Sequence, residues 1–243
     1  MSPINYDAFV SIKIGCFWEV SMNAFDFNST AYVSSRCTQE DPRMPLVLPM
    51  IGTNKDVLDL GCLDGTLGEL FVQQGNRVKG IDASKTAIQK ARDRGIDARL
   101  GNLDELFPFA DSSFDIVFAG EIIEHVFEVD QFVEEVFRVL RPGGSFIVTT
   151  PNLAAFGRRM LLLFNRNPHI EISFKSPDAA GHIRYFVAST LKQFLKSKGF
   201  VIQRHTSDVI NFNETGNIAS KWLAQCFPAL GKTLIMQATK PTP

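Results

Sequence analysis

The chain carries almost no excess charge: 25 lysines and arginines stand against 26 aspartates and glutamates, a formal net charge of −1. With no basic run and no basic–aromatic tract, no nucleic acid is expected as a partner. Cysteine is scarce as well. Cys16, Cys37, Cys62 and Cys226 form no close pair and no zinc-type spacing, a reduced, cytoplasmic pattern that excludes a disulfide framework. Long hydrophobic runs are missing: the most apolar short stretch, Met160 to Phe164, is far too short to span a bilayer. Lys13 and Glu19 interrupt anything resembling an apolar leader. Internal repeats and low-complexity segments are also lacking. What is there, 45% hydrophobic residues over 243 positions, suffices for one core with some decoration.

Residues 1–49 carry scattered aromatics (Phe9, Phe17, Trp18, Phe25, Phe27, Tyr32) without a period, and read as an N-terminal arm or lid ahead of a domain over 50–243. From Asp56 onward, short apolar runs alternate with helix-period segments. "DVLDL", "RVKGID", "DARLGN", "FDIVFAG" and "SFIVTT" read as strands. Between them, "LGELFVQQG" sets Leu67, Leu70 and Phe71 on one helical face. "SKTAIQKARDRG" has Ser84 as its cap and Gly95 as its stop. "DQFVEEVFRVLRPGG" offers Asp130 as a cap and an end at Pro142-Gly143-Gly144. Such alternation predicts an α/β fold with a parallel sheet covered on both faces. The rhythm breaks over 153–181, which reads as a lid insert, and resumes with "STLKQFLKSKGF", "VIQRH" and "TLIMQAT".

Ligands of doubly wound sheets bind beyond the carboxyl ends of the strands, where strand order reverses. The turn after the first strand, "DLGCLDG", is therefore the candidate site. Gly61 and Gly65 permit close backbone approach. Asp82, ending the second strand, can accept both hydroxyls of a ribose. A dinucleotide fold wants G-x-G-x-x-G, but Leu63 and Thr66 stand at the second and third glycine positions, which serves a pyrophosphate poorly. No Tyr-x-x-x-Lys pair supports a nicotinamide-dependent oxidoreductase either. S-adenosylmethionine has no phosphate, and Asp59 and Asp64 offer negative charge to its ammonium and sulfonium groups.

The blocks "VLDLGCLDGTLGELF", "VKGIDAS", "ARLGNLDELFPFADSSFDIVFAGEIIEHV" and "FRVLRPGGSFIVTTPN", spanning about Asp56 to Asn152, resemble the class I S-adenosylmethionine-dependent methyltransferases. The resemblance implies a Rossmann-like, seven-stranded, mostly parallel sheet with helices on both faces. It implies S-adenosyl-L-methionine contacts at Asp59, Gly61, Cys62, Leu63, Gly65, Asp82, Ala83 and Glu121, and adenine contacts at Asn102 and Leu103. Two departures stand out: Leu63 replaces the usual second glycine, and Asn102 replaces a frequent acidic residue. Arg36 is a candidate for the methionine carboxylate.

Methyl transfer needs alignment, and an acid or base only where the nucleophile must lose a proton. Glu121, Glu124 and His125 in "EIIEHV" are spaced so that one helical turn would bring them to a common side. His182 follows the insert in "GHIRYF". Two readings stay open. Either His125 or His182 is a general base, or Glu121, Glu124, His125 and His182 hold a divalent cation. The latter pattern is similar to that of ubiquinone-pathway O-methyltransferases and small-RNA 2′-O-methyltransferases. The expected acceptor is a small or lipid-like molecule, methylated at oxygen; the alternative class is a non-catalytic S-adenosylmethionine-binding module. "FGRRMLLLF", 156–164, reads as a lid helix packed on the protein, with peripheral membrane contact as the competing role.

Overall fold

The computed structural model describes residues 41–172, 180–213 and 217–243, together with the backbone of 10–12 and 20–22. Arg36 lies outside the described residues. Within the arm, β1 (Val10–Ile12) and β2 (Val20–Met22) pair antiparallel. The first helix, α1 (Met44–Ile51), turns Met44, Val47, Met50 and Ile51 into the core, so the packed body starts inside the stretch read as the arm.

The body alternates as its sequence pattern predicts: β3 (Asp56–Leu60), α2 (Thr66–Gln73), β4 (Arg77–Asp82), α3 (Lys85–Asp93), β5 (Asp97–Leu100), β6 (Phe114–Gly120), α4 (Val129–Val139) and β7 (Leu140–Pro151). Then come α5 (Phe156–Leu163), α6 (Ala188–Ser197), β8 (Val201–Thr206), the short pair β9 (Ile210–Asn211) and β10 (Ala219–Ser220), α7 (Lys221–Cys226) and β11 (Thr233–Thr239). Seven strands form one sheet in the order β5-β4-β3-β6-β7-β11-β8. The pairs among β3 to β7 are parallel, and β11 runs antiparallel to both β7 and β8. The fold is thus the Rossmann-like, mostly parallel sheet expected. Among the described residues, no helix is long and apolar enough to cross a membrane.

The central strands are apolar at consecutive positions because both faces are covered. Leu58, Leu60, Val117, Ala119, Phe146 and Val148 point to one side, under α4 and α6. Val57, Ile116, Phe118, Ile147 and Ile235 point to the other, under α1, α2 and α3. Phe71 of α2 meets Phe118 of β6 edge to face at 5.3 Å; fully burying such a ring contributes roughly 1.5–3 kcal/mol.

Two helix boundaries show how side chains decide where a helix starts. Ser84 caps α3 as expected, its Oγ accepting the Ala87 N–H at 3.3 Å. Asp130 does not cap α4. The helix opens at Val129, and Asp104, from the loop after β5, accepts the Phe127 and Glu128 N–H groups at 2.8 and 2.9 Å. Asp130 pairs with Lys198 instead. Because β3 lies between β4 and β6, strand order reverses there, and the carboxyl ends of these strands open the site.

Candidate active site

After β3 the chain must double back over the strand ends to begin α2. It does so through left-handed conformations at Gly61 (φ 71°), Leu63 (φ 48°) and Gly65 (φ 80°). Gly65 is required twice over, since a Cβ there would also lie 2.9 Å from the Ala91 Cα. At Leu63 the same conformation costs roughly 1–2 kcal/mol. The backbone therefore keeps the path that a glycine would take, although the sequence has none. A hydrogen bond holds it there: the Leu63 N–H donates to Asp82 Oδ2 at 2.8 Å. Asp82 Oδ1 accepts the Ser84 N–H at 2.8 Å. Burial raises the Asp82 pKa against these amide bonds. Each carboxylate oxygen has a second lone pair for a further donor, as a ribose would require.

Asp59 is buried at the end of β3, and its Oδ2 has no hydrogen-bond partner. Burial, and then the neighbouring charge of Asp82, push its pKa up to about 8. A carboxyl group orphaned in this way is completed by a cation. The residues at the turn therefore fit the ammonium and sulfonium groups of S-adenosylmethionine, a nearby cation being what would draw the proton from Asp59. Cys62 packs its sulfur against Gly80, where a Cβ would stand 2.5 Å from Sγ, so its backbone is what it offers a ligand. Gly61 was expected to make room for the cofactor. The immediate neighbour needing that room is Ile122, whose Cδ1 lies 2.1 Å from the position of a Cβ. Ala83 follows Asp82 at the end of β4. Asn102 and Leu103 sit beyond β5, where Asn102 Oδ1 accepts the Asp104 N–H at 3.1 Å.

The second half of the site follows β6. Glu121 has φ 57°, so "EIIEHV" folds as a tight turn and not as a helical one. The helical spacing argument accordingly fails for one of its three residues. Glu121 Oε1 pairs with Arg43 Nη1 at 2.9 Å and accepts the Thr149 hydroxyl at 3.0 Å. Arg43 is itself gripped by Asp41. Burial raises the Glu121 pKa despite the guanidinium.

Glu124 and His125 meet His182 instead, with one ligand atom from each lying within 4.8 Å of the others. Glu124 Oε2 accepts the Thr150 hydroxyl at 2.9 Å, while its buried Oε1 has no hydrogen-bond partner and lies 3.9 Å from His182 Nε2. Burial, and then the charge of Glu121, raise the Glu124 pKa well above its ordinary value. His125 Nδ1 is 3.1 Å from the Gly181 carbonyl, which can only accept, so that nitrogen carries the proton. Burial and then the charge of His182 lower the His125 pKa to about 4. His182 Nδ1 lies 3.2 Å from Glu171 Oε1, and burial lowers the His182 pKa too. The two rings are 4.9 Å apart.

A backbone clamp carries His182 to this place. The Ile183 and Arg184 N–H groups donate to the Glu124 carbonyl at 3.0 and 3.1 Å, and the Arg184 guanidinium donates to the carbonyls of Val126 and Phe127. The "H-x-R" of "GHIRYF" is thus one site residue and one anchor. Arg43, Glu171 and Arg158 escaped the sequence reading as site residues. Arg43 sits in an unpatterned "DPRMP", and Glu171 and Arg158 lie in the insert, where no period marks which side faces the site. Arg158 Nη1 is buried there with no hydrogen-bond partner.

With this geometry in view, comparisons with known proteins identify a domain within the chain. A family model described as a methyltransferase domain matches residues 58–148. A probable S-adenosylmethionine-dependent methyltransferase of Mycolicibacterium smegmatis is 38% identical over 153 residues, 61% of this chain and 53% of that protein. Residues 58–148 are a methyltransferase domain. The human mitochondrial ubiquinone biosynthesis O-methyltransferase is 30% identical over 165 residues, 64% of this chain and 43% of the relative. The chain thus spans about half the length of the curated relatives it matches. Among solved structures, an S-adenosylmethionine-dependent methyltransferase of Methanosarcina mazei superposes with a TM-score of 0.60 at 21% identity, covering 82% of this chain and 98% of that one. The cyclase SpnF superposes at 0.58 with 19% identity, over 87% and 86%. The methyltransferase fold alone therefore leaves the reaction to be argued from the site.

Proposed function

We propose that the chain transfers a methyl group from S-adenosylmethionine to a hydroxyl oxygen of a small or lipid-like acceptor. The observation that carries this reading is the cluster of Glu124, His125 and His182, the first two on the loop whose Ile122 packs against Gly61. When bound, S-adenosylmethionine supplies a methyl group already activated for in-line displacement. Asp82 holds the ribose hydroxyls, Asp59 faces the positive charge, and Asn102 and Leu103 meet the adenine. The backbone from Gly61 to Gly65 and at Ala83 lines the remainder, with Glu121 on the far side.

A hydroxyl acceptor must shed a proton, and the site has a group for it. His182 keeps its Nδ1 proton on Glu171, which leaves Nε2 basic. Both imidazoles are neutral near pH 7 because burial lowers their pKa values. His125 is the more deeply buried ring, its Nδ1 proton held by the Gly181 carbonyl, so His182 takes the proton and His125 walls the pocket. The resemblance to ubiquinone biosynthesis O-methyltransferases supports a lipid-like acceptor. So do Leu162, Leu163 and Phe164, exposed at the end of α5 and able to touch a lipid tail or a membrane surface through 156–164.

One observation favours a second reading of the same cluster. An orphaned carboxylate oxygen beside two imidazole nitrogens is a donor set for a divalent cation, which would lower the pKa of a bound acceptor hydroxyl. Glu124, His125 and His182 would hold it; Glu121, committed to Arg43, drops out of the set. Chelation tells the readings apart. If His182 is the base, EDTA leaves turnover unchanged, and His182→Ala slows it roughly 10²–10⁴-fold while Glu124→Ala costs far less. If a cation is held, EDTA abolishes turnover, added metal restores it, and the two variants are about equally damaged. Binding of S-adenosylhomocysteine without turnover on any hydroxylated acceptor would sink both, leaving a non-catalytic binding module.

A further inference from the structure

The two adjacent arginines of α5 behave in opposite ways. Arg159 is exposed and folds back on its own chain, its Nε donating to the Ala154 carbonyl at 2.6 Å. Arg158 turns inward. Its Nη1 is shut off from solvent without a hydrogen-bond partner, and among the described residues no carboxylate lies within ion-pairing distance of it. The position is next to the proposed chemistry, because α5 leaves β7 through Leu153, whose N–H donates to the Phe186 carbonyl at 2.9 Å. That bond lays the start of α5 along the segment from His182 to Phe186. The guanidinium is near enough to His182 for its charge to oppose protonation of that ring, and it feels the charges of Tyr185 and Glu121. Neither neutralises it. Glu121 is committed to Arg43 and Thr149, and the Tyr185 hydroxyl accepts the Glu171 N–H at 2.7 Å.

A guanidinium stays charged when buried, so its desolvation is left uncompensated until an anion arrives. Its planar, paired donors match a carboxylate or a phosphate. We propose that Arg158 is an oxyanion subsite for the acceptor, which carries a carboxylate or phosphate group in addition to the hydroxyl presented to His182. The acceptor is then amphiphilic: the anion enters toward Arg158, while any apolar portion meets Leu162, Leu163 and Phe164 at the far end of the same helix.

This inference rests on the methyl-transfer reading, and the test separates the two. The full chain is first titrated with S-adenosylhomocysteine; no binding would overturn the methyl-transfer reading and this inference with it. The saturated protein is then titrated with benzoate, phenyl phosphate and neutral benzamide. At least one anion should bind and raise the melting temperature, and benzamide should not. A preference between benzoate and phenyl phosphate identifies which oxyanion the subsite takes. Arg158→Gln should weaken that anion at least about tenfold and Arg158→Lys less, as a lost charge-assisted hydrogen bond would. S-adenosylhomocysteine affinity should be equal in all three proteins. Arg158→Gln should melt no lower than the parent, because an unpaired, half-buried charge has been removed; a merely structural arginine would give a lower melting point. Four results overturn the subsite: neither anion bound, anion affinity unchanged in Arg158→Gln, a lower melting point of that variant, or cofactor affinity falling with it. The last would mean that the cofactor's own carboxylate is what Arg158 holds.

Discussion

We assign Asp82 two jobs, holding the turn and holding the ribose, and removing it should be visible in both. Its two oxygens already accept the Leu63 and Ser84 amides at 2.8 Å each. Asp82→Ala leaves those buried donors without an acceptor, roughly 1–3 kcal/mol apiece where water cannot reach. Relief of a desolvated carboxyl group offsets part of that. The net loss should be about 1–3 kcal/mol, and for a chain of this size each kcal/mol lowers Tm by about 2–4 °C. Leu63 is held at φ 48° partly through this bond, so the turn should relax as well. Cofactor binding loses the hydrogen bonds of a charged acceptor, about 1.5–3 kcal/mol, or roughly 10- to 150-fold in Kd. Asp82→Asn, which keeps the shape and one acceptor, should fall between. Calorimetric titration with S-adenosylhomocysteine, run alongside urea denaturation, measures both effects. A folded Asp82→Ala protein with Kd within about twofold of the parent would refute the assignment of the ribose to this carboxylate.

Gly65→Ala should destabilise by about 2–4 kcal/mol in urea unfolding, because its φ of 80° and the Ala91 backbone at 2.9 Å leave a Cβ nowhere to go. Asp59 has its pKa raised from 3.8 to about 8. Its contribution to ligand-free stability is therefore complete below pH 3.8 and is lost as pH rises through about 8. Tm measured from about pH 6 to 9 should fall in the parent and fall less in Asp59→Asn; parallel curves would contradict the shift. Arg184→Ala removes the donors to the Val126 and Phe127 carbonyls. It should cost about 1–3 kcal/mol of stability and at least about tenfold in kcat, with S-adenosylhomocysteine affinity unchanged, since it displaces His182 and not the glycine turn.

The fold was readable because the strands and helices of the body have clean periods, and the register of buried residues follows them through β3, β6 and β7. The glycine turn after β3 was readable because glycines and an acidic strand end are local signals, within reach of one βαβ unit. The other half of the site depended on contacts distant in sequence. Glu121 was placed with Glu124 and His125 by assuming a helix, and a positive φ at one residue undid that. Its partner Arg43 is brought from an N-terminal segment without a period. Asp104 displaced Asp130 as the acceptor at the start of α4 for the same reason: a loop far back in the chain offered the better geometry. Residues joined by the insert, Glu171 and Arg158 among them, have no spacing rule to reveal them. The expected packing of the lid helix held at Leu161, which is buried, but not at Leu162, Leu163 and Phe164.

β11 lies between β7 and β8, yet it follows both in the sequence. During synthesis the half of the sheet that carries the glycine turn can therefore close before the rest. β7 and β8 must wait, each with an edge of unpaired amides and carbonyls, until Thr233 to Thr239 emerges to bridge them. The waiting strand β7 is the one that leads into the insert. Leu234, Ile235, Met236 and Ala238 are all fully buried once in place, so a nascent chain stopped short of them exposes sticky edges together with uncovered apolar faces. Such fragments are ready-made templates for edge-to-edge association. Expression fragments of this protein that end before β11 should be insoluble, even though every residue of the glycine turn is present in them.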